Sequence, residues 1–151
     1  MKLTSAAFKN GQAIPMTYSC DGDGASPPLE ISEVPAGAES LVLMIDDPDA
    51  PGGKFIHWLF WNLKPEAQEI KKNKKPVDAI EGLNELGKHG FVKFCPPSGT
   101  HVYLFKLYAL DTLLPPNSNL NKDQIRKLME GHIIERVILR GYYERVQSES
   151  Y

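Results

Sequence analysis

A chain of 151 residues, with 42% hydrophobic and 24% charged side chains, suits one soluble domain over 1–151 with a real core. Seventeen basic and nineteen acidic groups leave a net charge of −2, which argues against a nucleic-acid partner. No apolar run approaches the roughly 20 residues that cross a bilayer, and Met1–Gln12 holds no secretory core, so no membrane span and a cytoplasmic location are expected.

In chain order, the candidate strands are 3–8, 28–32, 40–46, 55–63, 101–110 and 134–144. Turn clusters at 21–28, 47–53, 95–100 and 114–121 separate them. Leu41-Val42-Leu43-Met44-Ile45 is apolar throughout and reads as a buried strand. It delivers Asp47-Pro48-Asp49-Ala50-Pro51, two carboxylates on a backbone stiffened by two prolines. The aromatic run 55–63, which holds His57, reads as a central strand buried on both faces, and 102–110 reads the same way. Lys71-Lys72-Asn73-Lys74-Lys75 reads as a solvated loop. Asn121 is placed to cap a helix with Gln124 three residues on, and Ile125, Leu128, Met129 and Ile133 supply its apolar face. Gly131 marks its end or a bend. One helix among many short strands predicts a mainly β protein: a two-sheet antiparallel sandwich with one or two peripheral helices.

Cys20 and Cys95 are far apart and form no Cys-x-x-Cys, which gives little support to a zinc site. Two reduced thiols are the expectation in a cytosolic protein; a disulfide needs the fold to bring them together. Taken singly, the aspartates read as turn formers, His57 as a core histidine and Tyr103 as structural. His101 and Tyr103 stand two apart and share a strand face.

Together these residues make a pattern. Asp47-Pro48-Asp49-Ala50-Pro51 is followed by His57-Trp58 and Asn62. Cys95-Pro96-Pro97-Ser98-Gly99-Thr100-His101-Val102-Tyr103 runs into Leu107-Tyr108-Ala109-Leu110-Asp111. Tyr18-Ser19-Cys20-Asp21-Gly22, Ser26-Pro27-Pro28-Leu29, Glu81-Gly82-Asn84-Gly87-Lys88, Gly131-His132-Ile133 and Gly141-Tyr142-Tyr143-Glu144-Arg145 fall around them in order. The chain thereby resembles the phosphatidylethanolamine-binding protein family, also called the Raf kinase inhibitor protein family, in its short bacterial and archaeal branch.

The resemblance implies a Greek-key sandwich with a small anion pocket at one end of the main sheet, formed here by Asp47, Asp49, Pro51, His57, Pro97, His101 and Tyr103. It implies a non-enzymatic binding protein for a phosphate or phosphoethanolamine-like group, without a cofactor. A kinase or serine protease as protein partner, the latter met by the exposed loop 112–121, and a homodimer follow from the same resemblance. A hydrolase or metalloprotein using the Asp/His/Tyr groups is the alternative from another class. A cis Ala50–Pro51 bond is also implied.

Three departures stand out. Val102 replaces the family's usual arginine, on the strand face away from His101 and Tyr103. His89–Phe94 lacks the glycines common there, which bears on the pocket rim. The short sequence after the last strand leads one to expect a more open pocket. For an anion beside two carboxylates, the expected arrangement has Asp47 charging His57 or His101, with the imidazoles and the Tyr103 hydroxyl as donors.

Overall fold

The computed structural model describes residues 1–146. Its strands are β1 (Lys2–Thr4), β2 (Gln12–Ala13), β3 (Leu29–Ser32), β4 (Ser40–Asp47), β5 (Phe55–Leu63), β6 (Glu69–Ile70), β7 (Ile80–Glu81), β8 (Thr100–Leu110) and β9 (Ile133–Glu144), with helix α1 at Lys122–Met129. A six-stranded sheet has the order β2-β9-β8-β4-β5-β7, and a three-stranded sheet has the order β1-β3-β6. The spatial run β8-β4-β5-β7 is a Greek key, because the chain leaves β4 through β5 and β7 and returns beside β4 as β8. All pairs are antiparallel except the short β2–β9 pair.

Alternation along β4 explains why its sequence is apolar without a break. Leu41, Leu43 and Ile45 face the small sheet, where Leu3, Leu29, Ile31 and Ile70 close the main core. Val42 and Met44 face the opposite way, under Leu114, Ile125 and Met129. A strand covered on both faces favours apolar residues throughout. Its polar residues stand at the two ends, Ser40 and the consecutive Asp46 and Asp47, which are buried too and point to opposite faces.

β5 is buried on both faces as expected, but it stands next to the sheet edge rather than at its centre. β7 pairs with it only at Phe60 and Trp61, and the segment 82–92 supplies the remaining hydrogen bonds along that edge. Two register shifts against β4 each put one extra residue into β5. One is absorbed near Asn62, which adopts φ 57° and clamps the 112–121 loop by exchanging two 2.8 Å bonds with the Leu114 backbone. The other falls at His57.

The helix begins as predicted, with a reciprocal capping box between Asn121 and Gln124. Its buried face is narrower than predicted. Ile125 and Met129 are buried, while Leu128 is exposed and Ile133 already belongs to β9. The reason is Gly131 (φ 79°), whose left-handed turn lets His132 N–H bond the Met129 carbonyl at 2.9 Å and starts a strand. The first predicted strand is also shorter, ending at Thr4; Phe8 is buried from a loop. No peptide bond is cis among the described residues, so the expected cis Ala50–Pro51 is corrected to trans. Gly52 and Gly53, both at positive φ, carry the turn that follows it.

The two cysteines are bonded, against the expectation of free thiols. Ser19 and Phe94 form a parallel bridge, with Phe94 N–H donating to the Tyr18 carbonyl (3.2 Å) and Cys20 N–H to the Phe94 carbonyl (3.0 Å). That pairing sets Cys20 and Cys95 side by side, with Cα atoms 5.3 Å apart, within bridging range. A sequence separation of 75 hides the meeting.

Candidate functional site

The end of β4, the start of β5 and the start of β8 meet at one edge of the main core. His57 is the residue skipped where Ile45 pairs with Trp58 and Asp46 with Ile56. A bulge of this kind re-aims a side chain. It puts His57 and Trp58 on the same inner side, although they are consecutive, while Ile56 and Leu59 pack on the outer core. On β8, His101, Tyr103 and Phe105 alternate inward, as their spacing requires.

A cavity of about 330 Å³ opens there. Asp47, Ala50, Pro51, Phe55, His57, Val92, Lys93, Cys95, Pro96, Pro97 and His101 line it. Five of the seven residues expected from the sequence therefore share one wall: Asp47, Pro51, His57, Pro97 and His101. The other two support it from behind. Tyr103 is fully buried, with its ring centroid 5.3 Å from that of His57 and 4.2 Å from that of Phe94. Asp49 is turned outward and accepts the Val102 N–H at 3.1 Å. Sequence reasoning missed Phe55, Val92 and Lys93; the last is a cation in the very segment whose departure from the family pattern marks the rim. A larger open groove of about 750 Å³ runs beside the small sheet, but Glu30, Glu33, Glu66 and Glu69 line it, and four carboxylates repel an anion.

The hydrogen bonds assign different roles to the two histidines. His101 Nδ1 lies 2.6 Å from Asp47 Oδ2, and both side chains are buried. A carboxylate only accepts, so Nδ1 carries the proton. Asp47 Oδ1 accepts the Asp49 N–H at 2.8 Å, which occupies its second oxygen. Nε2 of His101 then donates only when the ring is an imidazolium.

His57 does not receive the Asp47 contact. Its Nδ1 donates to the Val92 carbonyl at 2.7 Å, while its own carbonyl accepts the Val92 N–H at 2.8 Å. Packed among Phe55, Phe94 and Tyr103, the imidazole is held below its ordinary value by burial, which outweighs the opposing pull of the Val92 carbonyl and of Asp47. At neutral pH it is an uncharged ring with Nε2 as an acceptor. Of the two alternatives, Asp47 pairs with His101, and the expectation that both imidazoles donate is corrected for His57, which is held neutral. Burial, followed by the charges of Asp47 and Asp49, also pushes the Tyr103 phenol far above its ordinary value, so its hydroxyl keeps its proton.

The depressed His57 value makes a prediction about stability. Below about pH 6.5 the unfolded chain takes up a proton that folded His57 refuses, so stability falls as the pH drops through that window. Urea midpoints measured from pH 7.5 down to 5 should fall less steeply for His57→Phe than for the natural chain. Parallel curves would mean that His57 takes up its proton equally well folded and unfolded.

A two-sheet Greek-key fold with an imidazole–carboxylate pair in a proline-walled cavity defines a class of small-ligand binding domain. The family model described as phosphatidylethanolamine-binding protein matches residues 4–144, and the chain belongs to that family. A UPF0098 protein of Chlamydia muridarum is 42% identical over 150 residues, covering 96% of this chain and 99% of its own. One from Methanothermobacter thermautotrophicus is 40% identical over the same shares. Among solved structures, the phosphatidylethanolamine-binding protein homolog CT736 of Chlamydia trachomatis superposes with a TM-score of 0.92 at 43% identity, over 95% of this chain and 97% of that one. E. coli YbcL, a member of the mammalian family, gives 0.88 at 30% identity, over 96% and 98%.

Proposed function

We propose that the chain is a non-enzymatic binding protein whose cavity takes a small tetrahedral anion, a phosphate or phosphoethanolamine-like group. The observation that carries this reading is the buried His101–Asp47 pair at 2.6 Å, beside Lys93 on the same wall. An imidazolium held by a carboxylate is a charge-assisted donor. His57 supplies the complementary function, an acceptor for a protonated phosphate oxygen or an ammonium. Phe55, Pro51, Pro96 and Pro97 form apolar walls that strengthen these polar contacts by keeping water away.

The alternatives from other classes gain less. Thr100 directs its hydroxyl to Glu144 (3.4 Å) rather than to either histidine, which leaves it poorly placed as a nucleophile. Among the described residues, no three His, Cys, Asp or Glu side chains gather as metal ligands. No helix among them is long and apolar enough to cross a membrane.

Calorimetric titration with sulfate tests the reading, because sulfate keeps its charge over the range of about pH 5 to 8 in which a histidine titrates. Affinity should rise as the pH falls, approaching about tenfold per unit where binding takes up one proton. A flat profile would remove the imidazolium donor. Phosphoethanolamine should bind more tightly than inorganic phosphate if the neutral His57 accepts from its ammonium.

A further inference from the structure

The disulfide is part of the cavity. Cys95 lines it together with Pro96 and Pro97, and Cys95 is exposed while Cys20 is half-buried. The two ends of the bond are held very differently. On the Cys20 side, Ser19 Oγ donates to the Met16 carbonyl (2.7 Å) and accepts the Asp21 N–H (3.0 Å). Asp21 in turn accepts the Tyr143 hydroxyl at 2.5 Å and the Val146 N–H at 3.0 Å, tying this turn to the end of β9. Burial and the Asp21 bond both raise the Tyr143 phenol, so it stays a donor.

The Cys95 side has no comparable support. Backbone bonding ends at Phe94, and among the described residues no hydrogen bond reaches Cys95 through Gly99 before β8 begins at Thr100. Pro96 and Pro97 have no N–H to offer. Between buried Phe94 and Thr100 at the start of β8, the sulfur–sulfur bond and the burial of Pro96 are what fix the wall.

From this asymmetry we infer that the Cys20–Cys95 disulfide is a redox latch on the anion cavity, closed when oxidised and released by a thiol reductant. The inference rests on the binding function proposed above. A thiolate attacks the sulfur of Cys95, the more exposed residue of the pair, forming a mixed disulfide and releasing Cys20 as a thiolate. A second thiol then attacks the reductant's sulfur in that mixed disulfide, freeing Cys95 as a thiolate. The reductant leaves as its own disulfide, and the protein gains two electrons and two protons as a dithiol. Exposed disulfides are the labile ones, and the cytoplasm expected from the sequence is where such a bond would turn over. The Cys20 turn keeps its place through Asp21 and Tyr143, so the freedom gained on reduction goes to the wall.

The test compares the oxidised chain, the same chain reduced with a dithiol, and the doubly substituted Cys20→Ser, Cys95→Ser chain. Backbone ¹⁵N order parameters at Cys95 (serine in the doubly substituted chain), Ser98 and Gly99 should fall from about 0.85 to below about 0.6 on reduction, with β4 and β8 unchanged. Sulfate affinity should drop about tenfold, as lost preorganisation predicts, and both changes should reverse on reoxidation. Unchanged order parameters overturn the latch. So does a mobile wall that still binds sulfate within about twofold of the oxidised chain. If sulfate binds no form, the anion reading of the cavity fails by itself, and the order parameters alone decide whether the bond holds the wall.

Discussion

His101→Ala is expected to weaken sulfate binding by about 10- to 100-fold, the equivalent of one charge-assisted hydrogen bond of about 1.5–3 kcal/mol. The same change leaves the buried Asp47 carboxylate with only the Asp49 N–H as partner, so stability should fall too. Asp47→Asn separates the two effects. It keeps an acceptor opposite His101 Nδ1 while deleting the carboxylate charge. Its folded stability should stay closer to that of the natural chain, and its sulfate binding should weaken because a neutral amide orients the ring without a charge-assisted bond. Calorimetry across pH checks both variants. A His101→Ala chain that binds sulfate as tightly as the natural one would discard the imidazolium account.

The largest loss of stability is expected one residue earlier in β4. Asp46 is fully buried on the outer face, with Lys106 Nζ at 2.8 Å and Arg126 at 3.8 Å. Lys106→Met strands that carboxylate, at a cost of about 3–5 kcal/mol. For a domain with about 5–15 kcal/mol in total, this is a large share. Replacing both partners, Asp46→Leu with Lys106→Met, should recover most of the loss, because the pair's desolvation disappears along with its attraction. Urea unfolding of the two chains decides the matter. Equal midpoints for Lys106→Met and the natural chain would show that Arg126 takes over the carboxylate.

The pair Asp46–Asp47 shows how far a sequence reaches. Strand alternation alone sends adjacent residues to opposite faces, so one of the two had to leave the inner cavity. The family resemblance selected Asp47, and the structure pairs Asp47 with His101 and Asp46 with Lys106. His57 was legible as a site residue only through that resemblance. Simple alternation puts His57 and Trp58 on opposite faces, and a bulge that breaks the period has no signature in the apolar pattern of 55–63. Lys93 and Val92 were not legible at all. They belong to a loop, and what places them is the pairing of Val92 with the His57 backbone, a contact made by main-chain atoms that carry no residue identity.

Local chemistry settled the four long strands of the main sheet, β4, β5, β8 and β9, and the start of the helix, because period, propensity and capping act over a few residues; the two-residue strands β2 and β7 carry no such signal. The ordering of those strands, the meeting of two cysteines 75 positions apart and the division of the histidines into one paired and one neutral ring came only with the tertiary fold. Each of these depends on the distance between groups remote along the chain. Burial and electrostatic pairing respond to that distance, and no stretch of sequence contains it.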